Sequence, residues 1–421
     1  MKILRVGDPL VLTLVLIIFF IGCFVLYTTN PIGEIASGWA ESHFVKQLLF
    51  GGLGIAVILF LSTIDLQMSK TFIIQVVVMA VVLLLLGGLF VLGPLVNATH
   101  RWYQIGQFLF QPSEFAKIVL ALWTAYWVTN EGIKNSVRVV LSSIGILGTL
   151  GLIVLQPDFG AMVISLLIVI AILVLWGSKF ELGRAILLWG ALTAVVVLLA
   201  LNSSYWLLLF EVVPMWLLLK TNWKIGTLCA VLAGILLSSL FLGKMVWKTS
   251  VVPDYIRNRI ESFTGAQVEL MQIRQSKIAI GSGKLWGKGI AQGTQSRLRF
   301  LPEYRTDFIF AAFIEERGFA GMLVLFLLYL LLFGRLIYMA LQIEDEYSRL
   351  IVLGLTLKLW FETFWNIGMN MGVLPTKGVA LPFMSYGGSS LLANSIIIGI
   401  ILSMYRFEAK RDTISPSFGL A

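Results

Sequence analysis

Arg101, Glu114, Lys117 and Asp158 sit in stretches that are otherwise almost wholly apolar, THRWYQIGQFLFQPSEFAKIVLALW and VLQPDFGAMV. Carboxylates and cations are the residue types that take up protons and hold anionic groups. At membrane depth an ionisable side chain is a functional candidate by default. FQPSEFAKIVLALW (110–123) and LQPDFGAMVISLLI (155–168) share one arrangement, Gln-Pro and then an acid at the start of an apolar run. Proline suits the first turn of a helix, where its missing N–H costs nothing, and a nearby carboxylate can cap that end and complement its dipole. Asp158 therefore also reads as a plain cap for a helix over 159–176. Glu114 and Lys117, three apart, are neighbours on one helix face, and read either as a structural ion pair or as part of a water-filled cavity.

Three further stretches carry chemistry-bearing residues. LPEYRTDFIFAAFIEERG (301–318) brings Glu303, Arg305, Asp307, Glu315, Glu316 and Arg317 to the start of an apolar run. The spacing of eight between Asp307 and Glu315 puts both on one face if the segment is a continuous helix; the bland alternative is a solvated interfacial helix. AIGSGKLWGKGIAQGTQS (279–296) is rich in glycine but lacks the spacing and the Lys-Ser/Thr ending of a phosphate loop, so no nucleotide site is read there. Its glycines and lysines could still offer backbone N–H groups and charge to a lipid phosphate. NIGMNMGVLPTKGVALPFMSYGGSSLLAN (366–394) is broken by Gly, Pro375 and Pro382. Such backbone is tolerated at membrane depth only where it is buried in protein or lines a cavity.

The elements that must position these residues follow from composition. With 58% hydrophobic and 13% charged residues, against roughly 25% charged in a soluble domain, the chain reads as a polytopic membrane protein. Apolar runs long enough to cross about 30 Å of hydrocarbon as helices lie near 9–28, 44–63, 72–93, 113–129, 138–155, 159–176, 185–201, 205–219, 225–242, 319–341, 349–369 and 388–406. Their length and lack of alternation exclude a barrel, so the predicted fold is an all-α membrane helix bundle of 10 to 12 transmembrane helices. The whole of 1–421 reads as a single transmembrane domain. Short connections carrying Lys2, Arg5, Lys70, Arg138, Lys179, Arg184, Lys220, Arg335, Arg349 and Arg406 fall on one side, and the opposite connections carry only Lys46, Arg101 and Lys377. By the positive-inside rule both termini are cytoplasmic and the acidic and basic motifs face outward.

One connection, 243–307, is long and extracytoplasmic by this count. It carries eleven Lys or Arg against five Asp or Glu, a net of +6 by subtraction, and its aromatic and apolar content predicts short helices on the membrane surface. The first segment has a basic flank without a small-residue cleavage site and reads as a retained signal anchor. Cys23 and Cys229 both fall inside apolar runs and there are two histidines, His43 and His100, so neither a disulfide framework nor a zinc centre is expected. The net charge of +9 is largely loop bias and does not point to nucleic acid.

Taken together, RWYQIGQFLFQPSEFAKI, LQPDFGA, QSKIAIGSG, GKGIAQGTQS, LPEYRTDFIFAAFIEERG and LPFMSYGGSSLLAN resemble the shape, elongation, division and sporulation (SEDS) glycosyltransferases, the FtsW/RodA/SpoVE family. The matched blocks cover roughly 97–162 and 255–406, and GTQS is closest to the rod-shape branch. The resemblance implies a peptidoglycan glycosyltransferase of the bacterial cytoplasmic (inner) membrane. It would join units of lipid II, an undecaprenyl-pyrophosphate-linked disaccharide, with inversion, beside a class B penicillin-binding protein and the elongation machinery. It needs no certain cofactor, and a divalent cation, Mg2+ or Mn2+, could assist the leaving group. Residue by residue it implies catalytic roles for Asp158 and Lys117, and substrate contacts for Arg101, Glu114, Arg259, Gln275, Lys277, Arg305, Asp307, Ser385 and Tyr386.

The chain departs from the family pattern just before Gln275. Family members usually carry a catalytic aspartate there, whereas this chain reads RIESFTGAQVELMQIRQSK, with no aspartate between Asp254 and Asp307. Glu269 is the nearest replacement and is expected to be the catalytic acid, with Glu261 the next. Otherwise Asp158 or Asp307 does more of the work, or polymerisation is impaired. The region 182–245 is also longer than usual, and Lys377 stands where an uncharged residue is common. Two other functions remain open from sequence: a lipid-linked precursor transporter, favoured by Gly/Pro-broken helices with intramembrane charge, and a non-catalytic scaffold.

Overall fold

The computed structural model describes residues 8–29, 42–94, 100–106, 108–130, 132–133, 135–156, 158–177, 271–298, 300–374, 376 and 378–414. The spans expected near 185–201, 205–219 and 225–242, and residues Arg259, Glu261, Glu269 and Lys377, lie outside the described residues. The chain divides into two compact units, 1–172 with 272–421, and 173–271; of the second, 173–177 and 271 are described.

Numbered along the described residues, the helices are α1 (Pro9–Thr28), α2 (His43–Thr63), α3 (Phe72–Leu92), α4 (Pro112–Thr129), α5 (Asn135–Leu155), α6 (Phe159–Gly177), α7 (Met271–Ser282), α8 (Thr294–Arg297), α9 (Ile309–Leu341), α10 (Glu346–Asn370) and α11 (Gly388–Ile414). Among the described residues, α1, α2, α3, α5, α9, α10 and α11 are each long and apolar enough to cross a membrane. The protein is a polytopic helical membrane protein. Nine of the expected spans appear as helices within a few residues of their sequence bounds, except that α9 starts ten residues early and α11 ends eight residues late.

Inside a bilayer, helices gain little from hiding apolar surface from one another, so close packing and polar contacts hold them. The largest helix contact is α2 against α11. A Cβ on Gly54 would sit 2.5 Å from Ser395 Oγ, so that contact depends on the missing side chain. At one end of the bundle Asp8 caps α1 through the amides of Leu10 and Val11 and is gripped by Arg335 of α9. At the same end Asp345 caps α10 through Ser348 N and pairs with Lys70. The opposite end carries the starts of α4, α6, α9 and α11.

The early start of α9 has a local cause. Its second half begins at Phe319, where the sequence places the span, but residues 309–317 are helical too, and Gly318 breaks the two with φ 66° and ψ −165°. The amides freed at the break, Phe319 N and Ala320 N, donate to Lys284 O and Leu285 O. In return Lys288 N and Gly289 N donate to Glu315 O and Glu316 O. The loop after α7 therefore repairs the broken helix, as non-helical backbone at this depth requires. A side chain on Gly287 (φ +82°) would meet Glu316 O at 2.1 Å, which fixes glycine there.

Two sequence expectations are corrected here. Asp307 and Glu315 do not share a helix face: the helix starts at Ile309, after Asp307, and Phe308 is its cap. Glu315 turns to the 288–296 loop, whereas the Asp307 backbone oxygen accepts from Asn366 and Asn370 of α10. Nor does the glycine-rich loop hold out its N–H groups to an external phosphate. The amides of Thr294, Gln295 and Ser296, at the start of α8, donate to the Glu315 carboxylate, which Lys288 Nζ also meets at 2.7 Å.

Candidate active site

A short hairpin sets the approach to α4. Strands β1 (Tyr103–Ile105) and β2 (Phe108–Phe110) pair antiparallel, with Tyr103 opposite Phe110, and Gly106 supplies the positive φ (+61°) of a two-residue turn. Tyr103 Oη donates to Leu85 O of α3, and Ser389 Oγ of α11 donates to Leu109 O while accepting from Gln111 N. These anchors fix Gln111, after which Pro112 begins α4 and Glu114 lies in its first turn.

One turn on, Lys117 Nζ donates to Glu114 Oε1 at 2.8 Å and to Glu362 Oε1 of α10 at 2.7 Å. Glu362 Oε2 accepts from Lys358 Nζ at 2.7 Å, and Lys358 also donates to Asn394 Oδ1 of α11. Lys358 is 0% exposed, Lys117 2% and Glu362 3%. Buried charges persist only when paired and hydrogen-bonded, and this chain of four alternating charges joins α4 and α10, with Asn394 tying it to α11. Glu362 lies eight residues from the end of α10, about 12 Å into the bundle.

Asp158 lies beside this row. Its Oδ2 accepts from Gln111 Nε2 at 2.9 Å and Ser113 Oγ at 3.0 Å, and its Oδ1 accepts from Ala161 N at 3.2 Å. The capping expected from sequence is present, joined by two donors from the start of α4. Arg101 Nε donates to Gln156 O, two residues before Asp158. The Gln111, Glu114, Lys117, Asp158, Glu362 and Ser390 side chains line a cleft of about 20 Å³, room for about one water.

The broken segment between α10 and α11 closes one side of that cleft through Gly378, Val379 and Ala380. Asn366 Nδ2 holds both Asp307 O and Val379 O, and Asn370 Nδ2 also holds Asp307 O. A Cβ on Gly378 (φ +61°) would stand 3.4 Å from the Asp307 carboxylate, placing that acid at the edge of the cleft. Ser385 is buried, donating to Thr306 O and accepting from Leu381 N, so its hydroxyl braces the loop. Tyr386 N donates to Arg305 O, and its ring packs edge-on to His43, which contacts Arg305 Nη1. Burial pushes the Tyr386 phenol up, against the opposing pull of Arg305, so it is a hydrogen-bond donor at neutral pH. Gln275 and Lys277 lie on α7, and Lys277 Cε would lie 2.3 Å from a Cβ on Gly372.

The structure thus brings Glu114, Lys117 and Asp158 into one cleft, with Asp307 at its edge, and puts Ser385 and Tyr386 in the loop beside it. Sequence reasoning missed Lys358, Glu362 and Asn394. Their signal was present, a Lys and a Glu four apart in an otherwise apolar span. Three carboxylates against two ammonium groups leave the cluster one net negative charge. Glu362 has both oxygens occupied, while Glu114 Oε2 takes no protein hydrogen bond among the described residues. Such a cleft can accept a proton or draw in a cation; an anion needs further positive groups, and Arg101 and Arg305 lie at the same end. Among the described residues no group of three or more His, Cys, Asp or Glu side chains is placed to hold a metal ion.

The family model FTSW_RODA_SPOVE, described as a cell cycle protein, matches residues 8–211 and 204–410. A curated relative called peptidoglycan glycosyltransferase RodA, from Treponema pallidum, is 31% identical over 94% of this chain and 97% of its own length. Peptidoglycan glycosyltransferase MrdB of Escherichia coli is 30% identical over 94% and 93%. Among solved structures, one described as a peptidoglycan synthase complex that coordinates polymerization and crosslinking aligns with a TM-score of 0.69 at 24% identity, covering 96% of this chain and 99% of that one. The rod shape determining protein RodA of Thermus thermophilus aligns at 0.61 and 23%, covering 96% and 98%. These two likenesses show the fold.

Proposed function

We propose, from the premise that this chain belongs to the FtsW/RodA/SpoVE family of cell cycle proteins, that it is a peptidoglycan glycosyltransferase polymerising lipid II at the outer face of the bacterial cytoplasmic membrane. The names carried by its relatives support the activity. The observation that carries the mechanism is the buried row Glu114–Lys117–Glu362–Lys358 with Asp158 beside it. In the reaction the 4-hydroxyl of an acceptor sugar attacks the anomeric carbon of the donor. A new C–O bond forms, the bond to the pyrophosphate oxygen breaks with inversion, and the hydroxyl proton passes to a carboxylate.

Glu269, two residues before α7, is the carboxylate this reading assigns as base, and Asp158, fixed in place by its three donors, is the second acid assigned to the reaction. Lys117, Arg101 and Arg305 are the cations assigned to the departing pyrophosphate, and Arg259, Gln275, Lys277 and Asp307 are assigned to the sugars and phosphates around it. Ser385 and Tyr386 support that wall from behind. A cleft of about 20 Å³ does not admit a sugar ring, so this reading requires the turn around Gly378 to part when substrate binds.

Orientation belongs to the same proposal. The end opposite the cleft carries Lys70, Arg335 and Arg406, which by the positive-inside rule is the cytoplasmic one. On this reading both termini are cytoplasmic and residues 243–307 are extracytoplasmic, within one transmembrane domain. A class B penicillin-binding protein is the partner assigned. Purified protein with that partner and labelled lipid II tests the whole: glycan polymer is expected, with loss in Glu269→Gln. Lipid II translocation into liposomes without polymer would replace this reading with a transporter.

A further inference from the structure

The larger described cavity, about 670 Å³, lies away from the cleft, on the outside of the bundle between α1 and α9. Its floor is apolar: Ile17, Phe20 and Phe24 from α1, Phe313, Ala320 and Val324 from α9. Ile17 to Phe24 spans about 10 Å of helix rise. Ala320 and Gly321 make it hollow, since neither carries a side chain that reaches across. One polar group stands at its end, Arg317, whose guanidinium lies 5.1 Å over the Phe24 ring. Trp286, 78% exposed, completes the rim at that end, the position where tryptophan sits at a membrane–water boundary.

Arg317 makes no hydrogen bond or ion pair among the described residues. The neighbouring Glu316 is turned inward, where its Oε2 accepts from Thr28 Oγ1 at 2.8 Å. A guanidinium with its donors unspent, standing over a ring at the head of an apolar trough open to the bilayer, is complementary to one kind of molecule. We propose that this groove binds an anionic phospholipid, one acyl chain along Phe20, Phe24 and Val324 and its phosphate on the Arg317 fork. A transmembrane helix from a partner would leave the guanidinium without an acceptor in an apolar contact, which is why a lipid is favoured.

Native mass spectrometry of the full chain in neutral detergent, titrated separately with phosphatidylglycerol and phosphatidylcholine, tests this. Phosphatidylglycerol is expected to be retained at least about fivefold better, because both lipids offer a phosphate to the guanidinium but the choline ammonium of phosphatidylcholine cancels the charge and repels Arg317. Arg317→Gln should erase that preference, and Val324→Trp, on an exposed face, should lower retention of both lipids by filling the trough. The thermal midpoint of each variant in the same detergent checks folding; where Arg317→Gln unfolds, Val324→Trp decides the question. Equal retention of the two lipids by the wild type overturns the proposal, as does a preference that survives Arg317→Gln. Displacement of phosphatidylglycerol by equimolar undecaprenyl phosphate would overturn it in favour of a prenyl chain, and a dimer mass lost in Val324→Trp in favour of a second copy.

Discussion

Lys117 of α4 and Glu362 of α10 meet at 2.7 Å, 245 residues apart in sequence, and each has a second partner of opposite charge. Glu362 is itself held by Lys358, one turn before it on α10, so the carboxylate that positions the cleft ammonium is braced by a residue the solvent never reaches. The row therefore acts as one unit, in which breaking a link is worse than removing a matched pair.

Removing Lys358 alone, as Lys358→Met, leaves Glu362 with one cation for two oxygens in a buried site. Breaking a buried pair in this way costs about 3–5 kcal/mol. The double variant Lys358→Met with Glu362→Met leaves Glu114 and Lys117 paired, and is expected to recover most of that loss. Thermal unfolding of the two variants in one detergent checks it, and a double variant less stable than the single one would show that the row is not a unit.

Asp158 is held by three donors, and an amide in its place can satisfy them only through one oxygen. Asp158→Asn is expected to fold, to lose at least about tenfold in lipid II polymerisation, and to leave substrate binding nearly unchanged. Ser113→Ala removes one hydrogen bond to a charged group, worth about 1.5–3 kcal/mol, and should weaken stability by that order without abolishing polymer. Polymer length on gels and unfolding midpoints separate the two effects.

At the opposite end of the bundle the pH dependence has a definite sign. Burial raises the Asp345 carboxyl, but Lys70 and the Ser348 donors outweigh it and hold it below its usual 3.8. The Asp8 carboxyl, raised by burial and lowered more by Arg335 and the Val11 and Leu10 amides, is likewise below 3.8. A depressed carboxylate contributes stability that is present above its unfolded value and lost as pH falls through its folded one. Wild-type protein should therefore lose more stability than Asp345→Asn on going from pH 7 to below about 3.8. Parallel melting curves for the two would remove Asp345 from the account.

Much of this architecture was legible in the sequence because apolar runs mark spans directly. The bounds of α1, α3 and α6 agree with their runs to within a residue. What failed to show was wherever charge lies inside a span. Residues 309–317 read as interfacial because Glu315 and Glu316 depress their hydropathy, yet one is neutralised by the 288–296 loop and the other accepts from Thr28. Lys358 and Glu362 were absorbed into the 349–369 run for the opposite reason, two charges diluted by many apolar neighbours. The cleft was half visible: Glu114, Lys117 and Asp158 announce themselves at helix starts, but no local pattern says that α10 supplies their partner. The hairpin at 103–110 was hidden by its length, three residues a strand.

Glu315 is the internal anion that holds the loop after α7. Its carboxylate is wholly buried and accepts from the amides of Thr294, Gln295 and Ser296, from the Thr294 and Ser296 hydroxyls, and from Lys288. A helix start is suited to negative charge, and here α9 delivers that charge from within the chain. Glu315→Gln keeps one acceptor oxygen but removes the charge and turns an amide toward N–H groups, leaving buried donors unmatched. Lys288→Met removes a side chain that is 26% exposed and leaves the amides satisfied. The 283–297 loop is therefore expected to be cut by trypsin at Arg297 at least about tenfold faster in Glu315→Gln, since breaking several charged hydrogen bonds opens the segment. Lys288→Met should change the rate at Arg297 by less than about threefold. Equal cleavage rates in wild type and Glu315→Gln would mean that the backbone exchange around Gly318 alone holds the loop closed.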